Sequence, residues 1–231
     1  MTLRKLLAQA MMLAVAAGSV FVAGAVPASA GAGTATIFIV HGLPGAGKVD
    51  ICIGGSGEVA SRVPYATRVK ERVAAGKVNI KVRKASKGQC KGKLLAAGGA
   101  TLAANANRTF VASVVAGKGK VTHFKNEMAP TAPGENRLTA AHKMAAKALD
   151  VLNVGDRRIQ GLAPGASATA SIQSGGVYSL WAAKAGSLNA VAGPRLVTKT
   201  DEGQAFTVVL VGNTKAPTRQ IVLFKQNVGV A

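Results

Sequence analysis

The feature that most constrains this chain is an internal repetition, because its two halves can be aligned at an offset close to 100 residues. Val49-Asp50-Ile51 aligns with Leu149-Asp150-Val151, and the motif at Phe124 aligns with the motif at Phe224. A Pro/Gly-rich stretch at residues 129–134 separates the halves and is poorly suited to regular pairing. The repetition predicts two domains, at residues 31–130 and 131–231.

The N-terminal segment predicts a signal peptide at residues 1–30. Arg4 and Lys5 precede an apolar stretch at residues 6–26, and Ala28-Ser29-Ala30 follows it. This order of charged, apolar and small residues predicts cleavage after Ala30. Because no second apolar stretch is long enough for a membrane helix, we expect a mature form without a transmembrane anchor. The protein is expected outside the cell, either secreted or retained at the cell wall.

Each half shows the apolar periodicity of β-strands. Val78, Ile80 and Val82 alternate with polar or charged residues, as in a strand with one buried face. Residues 140–149 are rich in Ala and Lys, but their alignment with the segment after Val40 predicts a loop and the start of a strand. Short apolar runs between Gly, Pro and Asn clusters predict further strands at residues 36–40, 49–53, 109–115 and 206–211. This spacing is typical of a β-sandwich or small barrel with about seven strands per half.

With these motifs the chain resembles the DUF4397 family of secreted actinobacterial proteins, which often carry the domain as a tandem pair. In the first half the resemblance rests on residues 38–45 (FIVHGLPG), 49–51 (VDI) and 74–82 (AAGKVNIKV). Weaker counterparts in the second half are residues 138–142 (LTAAH), 149–151 (LDV) and 176–180 (GVYSL). The resemblance implies an all-β fold of two tandem immunoglobulin-like β-sandwich domains after the signal peptide, with no assigned function.

The only two cysteines, Cys52 and Cys90, both lie in the first half. An exported protein meets an oxidising compartment, so the pair predicts a structural disulfide. Metal binding and redox chemistry are the competing interpretations. They are disfavoured because the two residues form no CxxC motif and supply only half of a zinc site.

No catalytic or cofactor-binding residue is predicted. Residues 42–48 match the spacing of a phosphate-binding loop, but Val49 stands where Ser or Thr would coordinate magnesium, and the chain continues as a strand. His41, His123 and His142 are scattered and form no zinc-binding motif. We therefore expect neither a metal nor a cofactor.

Positive charge is the remaining signal, because the chain has a formal net charge of +20 and residues 31–133 hold 16 basic and 4 acidic residues. The densest segment predicts a binding face for an anionic cell-envelope polymer, formed by Lys77, Lys81, Arg83, Lys84, Lys87, Lys91 and Lys93. The segment lacks interleaved aromatic residues, and Tyr178 and Trp181 lie in the other half, so specific nucleic-acid recognition is not expected. An equal alternative is that the charges serve solubility and protect sheet edges.

The sequence thus predicts a secreted, non-catalytic binding or envelope-structural protein without an assigned ligand. One alternative is an inhibitor or ligand of another extracellular protein, for which the segment at residues 42–48 is the candidate contact loop. The other is a secreted enzyme of unrecognised type. The oligomeric state stays open.

Overall fold

The computed structural model describes residues 33–54, 57–154, 156–198, 200–213 and 218–231. These residues form sixteen β-strands and no helix, so the all-β prediction is confirmed and no described segment is a helix able to cross a membrane. Residues 32–231 make up one compact unit. The predicted signal peptide and the cleavage point after Ala30 lie outside the described residues.

The strands fall into two sets of eight. The first set is β1 (Thr34–His41), β2 (Val49–Ile53), β3 (Gly57–Val63), β4 (Arg68–Ala74), β5 (Gly76–Lys84), β6 (Leu94–Leu102), β7 (Asn107–Val115) and β8 (Lys118–Lys125). The second set is β9 (Glu135–Met144), β10 (Leu149–Asn153), β11 (Asp156–Leu162), β12 (Ser167–Gln173), β13 (Tyr178–Lys184), β14 (Ala190–Val197), β15 (Gln204–Gly212) and β16 (Gln220–Asn227).

In the first half the strands form one continuous sheet in the order β3-β2-β5-β6-β8-β7-β1-β4. A single pairing, between Ala97 and Lys120, joins β6 to β8. Glycine permits this close approach, because a Cβ on Gly98 would lie 2.1 Å from the carbonyl oxygen of Val121. The two ends of the sheet enclose a core to which β1, β2, β5 and β7 all contribute.

In the second half the same order of pairing is split into two sheets, β11-β10-β13-β14 and β12-β9-β15-β16. Arg195 pairs with Leu180 as Gly98 pairs with Ile80 in the first half. A bulky residue therefore stands where the first half has glycine. The Nε of Arg195 donates a hydrogen bond to the carbonyl oxygen of Ile221 at 3.0 Å, so a side chain connects β14 to β16.

Each half has its own hydrophobic core. Ile37, Ile51 and Ile80 are fully buried in the first core, and Leu138 and Leu180 are fully buried in the second. Successive side chains of a strand point to opposite faces, so the alternation seen in the sequence becomes alternation in burial. The two cores come from separate stretches of chain, although the two halves also contact each other.

A third apolar cluster lies between the halves. It combines Phe38, Val40, Val111 and Phe124 of the first half with Ala141, Val209, Val211, Val222 and Phe224 of the second. These residues lie on β1, β7 and β8 on one side and on β9, β15 and β16 on the other. The strands that contribute to this cluster therefore carry apolar residues on both faces.

Polar and aromatic contacts reinforce this contact between the halves. The rings of Phe38 and Phe224 stack with centroids 4.7 Å apart. The guanidinium of Arg68 lies 5.5 Å from the first ring and 5.1 Å from the second, within the range of a cation–π interaction. Asn107 Nδ2 donates a hydrogen bond to Gln226 Oε1 at 2.7 Å. The contact thus combines apolar burial with directional bonds.

Two details differ from the sequence-based expectations. Each half contains eight strands instead of about seven. The absence of a helix at residues 140–149 agrees with the prediction. The first part of this segment, however, is strand and not loop: β9 continues to Met144, and only residues 145–148 form a loop. The strand extends further because its pairing with β15 continues to Met144.

Candidate functional site

The predicted basic face begins on β5, where burial alternates along the strand. Val78, Ile80 and Val82 are buried, whereas Lys77 and Lys81 are exposed on the opposite face. The exposure of both lysines follows from the two-residue period with which side chains alternate between the faces of a strand. The strand therefore presents its positive charges to solvent and its aliphatic side chains to the first core.

Arg83 and Lys84 end β5, and Lys87, Lys91 and Lys93 lie in the connection at residues 85–93 that follows it. Arg83 is half-buried, and its Nη1 donates a hydrogen bond to the carbonyl oxygen of Gly92 at 2.8 Å. The amide of Cys90 donates to Glu58 Oε2 at 3.2 Å. The amide of Lys84 donates to the carbonyl oxygen of Lys93 at 2.9 Å. These three bonds hold the C-terminal part of the connection against the strands.

A disulfide fixes the same connection covalently. Cys52 on β2 is bonded to Cys90, with their Cα atoms 6.1 Å apart. Cys52 pairs with Lys81 across the β2–β5 ladder, so it lies on the outer face of the sheet beside the basic residues. The bond therefore ties the charged connection down onto that face.

We call the seven predicted residues together the basic ridge: Lys77, Lys81, Arg83, Lys84, Lys87, Lys91 and Lys93. All except Arg83 are exposed. Within the part of the chain that the structure describes, none of the seven takes part in an ion pair. Two carboxylates contact the connection: Glu58 accepts a hydrogen bond from the amide of Cys90, and Asp50 accepts one from the amide of Ser86. The seven cations outnumber these two carboxylates, so the ridge carries a net positive charge.

The repeated aspartates anchor loops instead of reaching solvent. Asp50 is 1% exposed; its Oδ1 accepts a hydrogen bond from the amide of Arg62 at 3.0 Å and its Oδ2 one from the amide of Ser86 at 3.2 Å. Ser86 belongs to the connection that carries the ridge. Asp50 therefore helps to position the ridge without being available to a ligand.

Asp150 plays the same part in the second half. Its carboxylate accepts bonds from the amides of Gly161 at 2.7 Å and Gly186 at 2.9 Å, and from Arg157 Nε at 3.0 Å. Burial acts to raise the pKa of this carboxyl, but the two amides and the guanidinium outweigh it and leave the pKa below its ordinary value. Both aspartates therefore hold loops in place in the folded chain.

Two of the three histidines are buried and hold a loop through hydrogen bonds of their ring nitrogens. His41 is fully buried, accepts a hydrogen bond at Nδ1 from the amide of Leu43 at 3.3 Å, and has its Nε2 2.9 Å from the carbonyl oxygen of Gly47. His142 repeats the pattern with Met144 at 3.2 Å and Lys147 at 2.9 Å. An accepting Nδ1 and a neighbouring carbonyl require the neutral tautomer with the proton on Nε2. Neither imidazole is free to bind a metal.

Acid should destabilise the fold through these histidines. Burial lowers the pKa of His41 and His142, against the raising effect of their carbonyl partners, and the charge of Lys143 lowers that of His142 further. Burial and the charges of Arg108 and Lys143 lower the pKa of His123 in the same direction. As the pH falls below 6.5, the histidines of the unfolded chain become protonated before those of the folded chain. The free energy of unfolding therefore decreases as the pH is lowered towards the folded pKa values.

We expect the free energy of unfolding to fall between pH 7 and pH 5, with a slope of up to about 1.4 kcal/mol per pH unit for each of the buried His41 and His142. The exposed His123 should contribute less, because solvent screens its interactions. Urea unfolding across this range measures it. The double variant His41→Gln with His142→Gln should show a shallower dependence, because only His123 still contributes. An identical slope in the variant and the unmodified protein would contradict the assignment.

The segment at residues 42–48, which matches the spacing of a phosphate-binding loop, is not followed by a helix. Residues 42–48 connect β1 to β2, as predicted, and Val49 begins a strand instead of a helix. Among the described residues, no group of three or more His, Cys, Asp or Glu side chains could hold a metal ion.

Sequence reasoning missed an opening in the second half. It has a volume of about 610 Å³ and lies where the β9–β10 connection approaches the end of β13. Lys147, Lys184 and Arg219 line it together with apolar residues. They are far apart in the sequence, and no local motif marks them.

These features define an all-β protein with a fixed basic surface in its first half and no described metal-binding cluster. The chain belongs to the DUF4397 family, described as a domain of unknown function, whose model matches residues 35–152. That match covers β2 to β9 completely and most of β1 and β10, so it crosses from the first half into the second. A comparison with curated proteins gives no match.

Two solved structures are distantly similar to the chain. The chain is similar to CBMbc, of family CBM26, from Eubacterium rectale Amy13K in complex with maltoheptaose, at 10% identity and a TM-score of 0.26, covering 84% of this chain and 97% of that one. It is also similar to the Bacillus anthracis TIE protein at 12% identity and a TM-score of 0.23, covering 81% of this chain and 34% of that one. Neither similarity is close enough to inform what this chain binds.

Proposed function

We propose that this is an exported, non-catalytic binding protein that holds anionic polymers of the cell envelope on the basic ridge. We further propose that residues 31–130 and 131–231 are two copies of one immunoglobulin-like β-sandwich domain. The equivalent pairings support this division: β1 pairs with β4 and β7 as β9 pairs with β12 and β15. In this proposal the first copy carries the polymer site.

The observation that carries the proposal is the fixed geometry of the ridge. A charge cluster that serves only solubility needs no defined shape, whereas this connection is held by the disulfide, by Arg83 and by Asp50. Pre-organisation lowers the entropy lost on binding, so fixed lysines bind a polyanion more strongly than the same lysines on a flexible loop. The net positive charge of the ridge adds long-range attraction.

The alternatives receive less support. In the loop at residues 42–48, proposed as a contact for another protein, the only large apolar side chain is Leu43, which is 5% exposed and therefore offers no anchor. For nucleic acid, the ridge lacks aromatic stacking residues, and the hydroxyl of Tyr178 is bonded to the carbonyl oxygen of Gln173 at 2.6 Å. Salt-sensitive, sequence-independent binding of DNA is nevertheless consistent with the ridge.

Binding to dextran sulfate, duplex DNA and purified cell wall across a salt series tests the proposal, with uncharged dextran as the negative ligand. The variant Lys81→Gln, Lys84→Gln, Lys91→Gln should bind each polyanion more weakly. Its plot of log affinity against log salt concentration for DNA should be shallower by about two to three, because each lost phosphate contact removes about 0.9 from the slope. Arg83 is left unchanged because it supports the connection.

A matched variant distinguishes the ridge from net charge alone. Lys118→Gln, Lys125→Gln, Lys225→Gln removes the same number of exposed charges elsewhere. We expect it to retain most of the affinity. Equal loss in both variants would mean that net charge, and not the ridge, attracts the polymer. Absence of binding by the unmodified protein at low salt would leave solubility as the role of the charge.

A further inference from the structure

The opening in the second half leads onto the hydrophobic core. Met144 and Leu149, each 2% exposed, belong to the second core cluster, and the half-buried Val191 packs against it. All three line the opening of about 610 Å³. Small-molecule sites have volumes of roughly 300–1,000 Å³ and are lined mainly by apolar side chains. The opening therefore has both the size and the lining of such a site.

Its charged lining is of one sign. Lys147, Lys184 and Arg219 line the opening, and no Asp or Glu does so among the described residues. Lys147 and Lys184 are exposed, and neither forms an ion pair within the described part of the chain. Arg219 Nε donates to the carbonyl oxygen of Asn213 at 3.4 Å, which orients that side chain. The mouth of the opening is thus an electropositive rim over an apolar floor.

We propose that this opening binds a small organic anion with an apolar body, such as a medium-length alkyl carboxylate. The alkyl part would cover the half-buried lining residues Ala146, Ala148 and Val191, which removes their remaining apolar surface from water. The anionic end would lie between Lys147 and Lys184. A sugar fits less well, because the floor offers few hydrogen-bond partners for its hydroxyl groups. This site lies in the other half from the basic ridge and goes beyond the function proposed above.

Calorimetric titration of residues 31–231 with decanoate tests the site, with decyltrimethylammonium as a ligand of equal chain length and opposite charge. We expect saturable binding of one decanoate per chain and at least about tenfold weaker binding of the cation. The double variant Lys147→Gln with Lys184→Gln should bind decanoate about tenfold less tightly, because two exposed charge interactions are lost. The control Lys125→Gln with Lys225→Gln should bind decanoate as the unmodified protein does.

A second variant, Ala146→Trp, fills the opening and should abolish decanoate binding, and its thermal unfolding midpoint verifies that it is folded. If it does not fold, the lysine variant decides, because both lysines are exposed. The proposal is overturned if decanoate does not saturate, if the cation binds equally well, or if the lysine variant retains full affinity. Loss of polymer binding by the ridge variant leaves this result unchanged, so the two proposals fail separately.

Discussion

Replacement of both cysteines, as Cys52→Ser with Cys90→Ser, is expected to lower the free energy of unfolding by about 4 kcal/mol. The disulfide closes a loop with a sequence separation of 38 residues, and in the chain-entropy account this closure restricts the unfolded chain. Cys52 is 6% exposed and Cys90 is half-buried, so the replacement by serine also removes some packing of the disulfide against its neighbours. Urea unfolding of the variant and of the unmodified protein measures the difference.

The unmodified protein in dithiothreitol should unfold at the same urea concentration as the cysteine variant, since both lack the same bond. The variant itself should not respond to dithiothreitol. A loss of less than about 1 kcal/mol would show that the hydrogen bonds of Arg83 and Asp50 already restrain the connection without the disulfide. Polymer affinity should also fall in the cysteine variant, because the lysines of the ridge would then sit on a looser loop.

Phe224→Ala is expected to destabilise the protein by about 3 to 5 kcal/mol, as for other buried phenylalanines. Phe224 is 4% exposed, and its ring stacks on Phe38 and lies 5.1 Å below the guanidinium of Arg68. The truncation therefore removes apolar burial, an aromatic pair and a cation–π contact from the cluster between the halves. Urea unfolding measures the loss, and Leu196→Ala, at a position 64% exposed, should change stability by no more than about 0.5 kcal/mol.

A double-mutant cycle with Phe38→Ala isolates the contact between the halves. If the two rings stack directly, the two truncations should be non-additive by about 0.5 to 1.5 kcal/mol. Strict additivity would mean that the two rings do not stabilise each other. The cycle thus tests the contact independently of the total stability.

Local pattern predicted five of the strands, β1, β2, β5, β7 and β15, and the exposed basic face of β5. Alternation along β5 places Lys77 and Lys81 opposite Val78 and Ile80, and a period of two residues is a property of any extended chain. The pairing of Cys52 with Cys90 needed only the cysteine count and the expectation of export. The fixed shape of the connection was not readable, because the bond from Arg83 to Gly92 depends on how the loop folds back.

The contact between the halves was not predictable from the same patterns. Phe38 and Phe224 lie in strands whose residues are apolar on both faces, which by itself is equally consistent with a central strand of a single sheet. The extension of β9 to Met144 was missed for a related reason: the Ala/Lys composition carries no strand signal, and pairing with β15 decides the conformation.

By itself, the sequence determined the all-β class, the repetition, the cysteine pair and the location of the positive charge. Each of these depends on residue type and on spacing along the chain. The tertiary structure alone decided that Asp50 and Asp150 are buried anchors, that an apolar cluster joins the halves, and that Lys147, Lys184 and Arg219 surround one opening. These features depend on which distant strands become neighbours, and that outcome is set by the packing of the whole chain instead of any local period.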